Sequence, residues 1–219
     1  MNVLEVDSIE LSFGSRKILK DVYMKCETGS VTGLIGRNGS GKSCLLRVLF
    51  GALSADTQSV RFNGQYIKRA HEVRGLLAFL PQDGYAMDYL SCAQLAGIHR
   101  LDDASCEYLQ SLDVVQQHYH EPIGQISTGL RKLIEVLVVL LSPRKFILLD
   151  EPFSFLAPVL VEEVIRVIGA QAPDKGIVLT DHLYKHVFEV CDRHYLLVDG
   201  SLKPVSELSQ LSQYGYINE

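Results

Sequence analysis

The chain of 219 residues reads as an α/β protein with a mixed, mainly parallel sheet, an N-terminal antiparallel β part and an inserted helical lobe. Three observations carry that reading. Short apolar strands alternate with helical patterns through the second half, which argues for a parallel sheet covered on both faces. A glycine loop stands between a strand and a helix near residue 36. From Asp83 to Gln125 the pattern turns mainly helical and more polar, with few strand signals. A chain of this length suits one domain, 1–219, with a sizeable core. Residues 1–82 and 143–219 make its core and about 83–142 its helical lobe.

Residues 3–13 and Ile18 to Cys26 alternate as strands do. The run Val31 to Ile35 is a buried strand, and Cys44 to Phe50 is a helical pattern. Asn63-Gly64, within Val60 to Ile67, marks a hairpin turn. Gly75 to Leu80 is a buried-strand run that stops at Pro81-Gln82. Beyond the lobe, Ser127-Thr128-Gly129 opens a helix with an apolar face over Leu130–Leu141. Phe146 to Leu149 is a short apolar strand that runs into Asp150-Glu151-Pro152. Helix 158–169, strand Ile177–Thr180, helix 183–191 and strand Tyr195–Val198 follow, and Asp199-Gly200 turns the chain into Ser201–Val205. No fixed-period repeat is present.

The stretch Gly36-Arg37-Asn38-Gly39-Ser40-Gly41-Lys42-Ser43 matches the phosphate-cradling pattern G-x-x-x-x-G-K-[ST]. Its context, strand then loop then helix, is the one such a loop needs, and it predicts a P-loop NTPase core. Glycines let backbone N–H groups turn toward phosphate oxygens, and the helix dipole adds to the attraction. Lys42 would set its ammonium against the outer phosphates, and the Ser43 hydroxyl would ligate Mg²⁺. A glycine-rich turn that binds nothing is the plain alternative. Asp150 ends a buried strand and can hold the same Mg²⁺, while Glu151 is placed to polarise an attacking water. Without the glycine loop the pair would read as solvated charge at a strand end. His182 follows another strand and reaches toward the same phosphates, although a lone histidine is more often structural. Phe13 could stack on a nucleobase, yet spacing alone makes it an ordinary core residue at a strand end.

The order of these motifs, from the glycine loop through Pro81-Gln82, the serine-glycine turn and Leu148–Pro152 to Thr180-Asp181-His182, resembles the nucleotide-binding domain of the ATP-binding cassette family over nearly the whole chain. The resemblance implies an ATPase with ATP and Mg²⁺, the ATP-hydrolysing subunit of a membrane transporter. Phe13 is similar to the aromatic that stacks on adenine. Gly36, Arg37, Asn38, Gly39, Ser40, Gly41, Lys42, Ser43 and Cys44 are similar to the phosphate-binding set. Gln82 is similar to the glutamine that senses the γ-phosphate and moves with the membrane subunit, and with Ser43 and Asp150 it makes up the Mg²⁺ set. Lys42, Gln82, the base Glu151 and the switch histidine His182 are the implied catalytic residues. The family pairs two cassettes head to tail, so that Ser127 and Gly129 of one chain face the ATP of the other.

Two places depart from the family pattern. Its Leu-Ser-Gly-Gly-Gln turn is here Ile126-Ser127-Thr128-Gly129-Leu130, and its aspartate after the catalytic glutamate is Ala157. Ser127 alone would read as a plain helix N-cap. What the chain gives its own site is kept, and what it gives across the dimer is altered. The implied partners are a second cassette chain, identical or not, and a transmembrane transporter subunit. A soluble cassette acting as a switch on a cytosolic assembly, or a weakly hydrolysing regulatory subunit, are the alternatives.

The net charge of −5 gives no basic field, so no nucleic acid partner is expected. The longest strongly apolar stretch, Leu133 to Leu141, is broken by Glu135 and too short to span a membrane. No basic region followed by an apolar run opens the chain, so no secretory signal is expected. Five scattered cysteines suit a reducing compartment. The expected location is cytoplasmic, peripheral on the inner face of the cell membrane. His118-Tyr119-His120 reads as solvated rather than metal-binding. Cys44 reads either as a thiol of lowered pKa at a helix start or as a small packing residue.

Overall fold

A computed structural model describes residues 1–182 and 184–216. The N-terminal β part is a four-stranded antiparallel sheet ordered β2-β1-β4-β5, from β1 (Val3–Phe13), β2 (Arg16–Glu27), β4 (Thr57–Phe62) and β5 (Gln65–Tyr66). Asn63 and Gly64 both take positive φ, 50° and 78°, as the tight hairpin between β4 and β5 requires.

The second sheet has six strands in the order β10-β9-β3-β8-β7-β6. These are β3 (Ser30–Ile35), β6 (Leu77–Leu80), β7 (Phe146–Asp150), β8 (Gly176–Thr180), β9 (Arg193–Val198) and β10 (Ser201–Val205). All neighbours are parallel except β9 and β10. Every residue of β7 and β8 is buried, which is why both read as unbroken apolar runs rather than as alternation. β6 is shorter than the run Gly75 to Leu80, because Gly75 sits at φ 75° in the preceding turn.

Helix α1 (Lys42–Phe50) packs on one face of this sheet. The lobe carries α2 (Cys92–His99), α3 (Asp103–Ser111) and α4 (Asp113–Gln116). On the other face lie α5 (Thr128–Leu141), α6 (Pro158–Gln171) and α7 (Tyr184–Val190), with α8 (Leu208–Gln213) near the end of the chain. The expected helix 183–191 begins on Leu183, which lies outside the described residues.

The core has two halves. One lies between the antiparallel sheet, α1 and one face of the six-stranded sheet, centred on Leu45, Leu46, Leu148 and Val178. The other joins the opposite face to α5 and α6 and continues into the lobe through Leu95, Leu109 and Val115. Ten of the fourteen residues of α5 are buried, so this helix is the main link between lobe and sheet. Among the described residues no helix is long and apolar enough to cross a membrane. The parallel strands β3, β7 and β8 end side by side, with Leu34 and Asp150 both in register with Thr180. Residues leaving those ends meet at one edge of the sheet, where ligands bind in open α/β sheets.

Candidate active site

The glycine loop leaves β3 and turns into α1 at Gly41, whose φ of 110° is open only to glycine; a Cβ there would also meet Ile18 Cγ2 at 2.8 Å. Lys42 is 5% exposed, and its ammonium donates to the carbonyls of Gly36 at 2.7 Å and Arg37 at 3.3 Å. Burial lowers its pKa, against the opposing pull of Glu151, Asp150 and Asp181. The charge is therefore held inside the curve of the loop, facing three carboxylates' field.

A cleft of about 380 Å³ runs along this loop. Phe13, Ile18, Gln82 and Glu151 line it. Asn38, Gly39, Gly41, Lys42, Ser43 and Cys44 of the loop and the start of α1 line it too. Phe13 is 53% exposed, so it faces the cleft and is not the core residue that alternation suggests. Cys44 is partly buried, and burial raises its thiol pKa, which removes the reading as a reactive thiol.

Asp150 is the last residue of β7 and fully buried. Its Oδ1 accepts from the Thr180 hydroxyl at 2.7 Å, while Oδ2 has no hydrogen-bond partner. A buried carboxylate oxygen without a donor suits a cation ligand. Ser43 and Asp150 thus fit Mg²⁺, while the Gln82 amide is engaged elsewhere. Glu151 leaves the strand at φ 49°, its N–H donating to the Thr180 carbonyl at 3.0 Å. Its Oε2 accepts from Gln82 Nε2 at 3.1 Å and from the Ser154 hydroxyl at 3.1 Å. His182, with its side chain 47% exposed, holds Nδ1 at 3.7 Å from the same oxygen and 3.5 Å from Asp181 Oδ1.

The loop, both carboxylates, Gln82 and His182 therefore come together. Ser127 and Gly129 do not line this cleft. Ser127 N-caps α5, accepting from the Leu130 N–H at 3.3 Å, and a Cβ on Gly129 would lie 3.0 Å from the Phe155 carbonyl. Ala157 precedes α6 and gives it no side-chain cap. Thr180, which joins Asp150 to Glu151, was not singled out by sequence; its one signal is a hydroxyl ending an otherwise apolar buried strand. Arg37, named from the sequence as part of the phosphate-binding set, also donates to the Gly215 carbonyl, a contact with the C-terminal segment that the sequence did not suggest. His118 pairs with Glu121 at 2.7 Å, and no cluster of metal-ligating side chains exists among the described residues.

A glycine loop at the end of a parallel strand, with a carboxylate pair at the end of a strand in the same sheet, defines a P-loop nucleotide-binding protein. The model of the ABC transporter family matches residues 19–154, and the chain belongs to that family, as one of its ATP-binding chains. It is 27% identical over 217 residues to the ABC transporter ATP-binding protein YtrB of Bacillus subtilis (strain 168), covering 96% of this chain and 74% of that one. It is 30% identical to the lipopolysaccharide export system ATP-binding protein LptB of Acidithiobacillus ferridurans, covering 91% of this chain and 88% of that one. The structure of the ATP-binding subunit of an ABC transporter shares the fold, with a TM-score of 0.83 at 21% identity over 98% of this chain and 94% of that one.

Proposed function

We propose that this chain hydrolyses ATP with Mg²⁺ and, paired with a second cassette chain, drives a transmembrane transporter subunit from the inner face of the cell membrane. In this reading residues 1–82 and 143–219 are the ATP-binding core and about 83–142 the helical lobe. Phe13 stacks on the base, and the backbone from Gly36 to Ser43 with Lys42 cradles the phosphates. Ser43 and Asp150, with Gln82 alongside, would hold Mg²⁺, which would supply charge neutralisation at the transferred group. Glu151 orients a water and takes up its proton as the water adds to the terminal phosphorus. The bond to the bridging oxygen breaks, and ADP leaves with the electron pair. Lys42 stabilises the charge on the equatorial oxygens, and His182 supports it from beyond β8.

The observation that carries this reading is the Glu151 carboxylate, held by Gln82 and Ser154 at 3.1 Å each on the cleft that Lys42 also lines. Glu151→Gln tests it: the amide keeps the shape and loses the base. Nucleotide binding is expected to persist while turnover falls on the order of 10²–10³-fold. Unchanged turnover would move the base elsewhere, with His182 the next candidate. A second reading, slow hydrolysis by a regulatory subunit, is favoured by Ala157, which leaves α6 without a side-chain cap.

A further inference from the structure

Helix α5 carries two charged side chains on its buried face, Lys132 at 4% and Glu135 at 1% exposure. A soluble helix needs neither there, and burying a charge is costly unless it is bonded. Both bonds go to the segment that follows β6. The Lys132 ammonium donates to the Gln82 carbonyl at 3.1 Å. Glu135 Oε1 accepts from the N–H groups of Tyr85 at 3.3 Å and Ala86 at 3.0 Å. Arg131, on the same helix, donates to the Ala86 carbonyl at 2.6 Å and pairs with Asp88 at 2.6 Å. Gly84 makes room for this arrangement: at φ 78°, a Cβ would lie 2.5 Å from Glu135 Oε2.

The segment is thus fastened to α5 by its backbone, while the Gln82 side chain is left to reach Glu151 at 3.1 Å. No carboxylate lies within 4.0 Å of the Lys132 ammonium among the described residues, and its hydrogen bond goes to the Gln82 carbonyl. Burial lowers its pKa, and Glu135, Asp150, Glu151 and Asp181 oppose that, which puts the ammonium in the field of the site. Lys132 also lies one helical turn from Thr128, in the turn that opens α5.

We propose that Lys132 is a positioning residue, which holds the Gln82 backbone from α5 so that the Gln82 amide meets Glu151, with Glu135 fixing the rest of the segment. Lys132 therefore joins the helix that opens at the Ser127–Gly129 turn to the glutamine that meets the base. The effect on turnover rests on the hydrolysis proposed above.

The test is a double-mutant cycle on the purified chain with Lys132→Met, Gln82→Ala and both together, reading steady-state hydrolysis, titration with a fluorescent ATP analogue, and melting. A merely structural lysine replaced by an apolar side chain of similar length leaves the rate unchanged. The expected result is a rate about tenfold lower, as losing a hydrogen bond to a charged group implies. Nucleotide affinity stays within about twofold, melting is no lower, and in the Gln82→Ala background the second substitution has no further effect. A wild-type rate in Lys132→Met, or the same loss in both backgrounds, overturns the proposal. Should Lys132→Met not fold, Gly84→Ala strikes the fastening from the loop side, and a wild-type rate there also overturns it. If the unmodified chain does not hydrolyse ATP, the functional reading fails by itself. Hydrogen exchange then decides on positioning: faster exchange of the 82–86 amides in Lys132→Met, with nucleotide bound, supports it, and unchanged exchange overturns it.

Discussion

Thr180 and Asp150 are register partners at the ends of adjacent parallel strands, and the threonine hydroxyl donates to Asp150 Oδ1 at 2.7 Å. The same hydroxyl accepts the Glu151 N–H at 3.1 Å. One buried side chain therefore holds both the Asp150 carboxylate and the backbone of Glu151. Thr180→Val keeps the volume and leaves Asp150 Oδ1 without its donor, while the Glu151 N–H keeps the Thr180 carbonyl, and the change is expected to cost about 1–3 kcal/mol. Denaturant unfolding measures it, and Thr180→Ser, which keeps the hydroxyl, is expected to lose less. An unchanged midpoint in Thr180→Val contradicts the role given to this hydroxyl.

Lys42 turns its ammonium onto the carbonyls of Gly36 and Arg37. Bound phosphate oxygens compete with those carbonyls for its protons. Lys42→Ala is expected to abolish the rise in melting temperature that Mg-ATP gives. At a hundredfold excess over Kd that rise corresponds to about 2.7 kcal/mol for one site. A retained shift in the variant would exclude Lys42 from phosphate binding.

The strands and the site's first ring of residues were legible because both depend on local pattern. β7 and β8 are apolar throughout, and the glycine loop is contiguous. Phe13 was harder. Around Ser8, at φ 54°, the register of β1 against β2 shifts, and the buried positions change phase from Leu4 and Val6 to Ile9 and Leu11. Continuing that phase puts Phe13 in the core, but the strand there has run past the core onto the cleft. Lys132 and Thr180 were not legible at all as site residues. Each acts through a contact with a residue some thirty to fifty positions away, and a lone lysine on a helix or threonine in a strand carries no sign of its partner.

Lys175 offers a test of the core away from the site. It is buried, and its ammonium donates to the Leu140 carbonyl at 2.5 Å and the Ser142 carbonyl at 2.8 Å, where α5 ends. Burial pushes its pKa down from 10.5 to about 8. Between those values the unfolded chain keeps the proton that the folded chain has released, so this group makes stability rise with pH from about 8 to 10.5. The contribution is on the order of 3 kcal/mol across that window. Other groups titrate there too, so the measurement is the difference in unfolding free energy between the wild type and Lys175→Met at pH 8 and pH 10.5. A difference that does not change with pH would show that folding leaves the pKa of this lysine unshifted.

The last prediction concerns the elements this chain would present to a partner. Ser127 still caps α5, but Thr128 and Leu130 put branched side chains on its opening turn, and Ala157 leaves α6 with no side-chain cap. Gly129, between them, lies so near the Phe155 carbonyl that the two departures are neighbours in space. If the chain pairs with itself, both sites combine an intact Lys42, Glu151 and His182 with the altered turn, and hydrolysis by the isolated chain is expected to be slow. Restoring the family pattern tests this. Ala157→Asp alone should add about 0.5–2 kcal/mol of stability, as a carboxylate caps the free N–H groups of α6. Thr128→Gly costs helix stability, roughly 0.5–1 kcal/mol, while opening the backbone to a phosphate. The two changes in stability nearly offset, so a clear rise in ATPase rate in the triple variant with Leu130→Gln reports on the chemistry across the dimer. Brisk hydrolysis by the unmodified chain, unchanged in the triple variant, would make all three departures neutral and remove the case for an asymmetric pair.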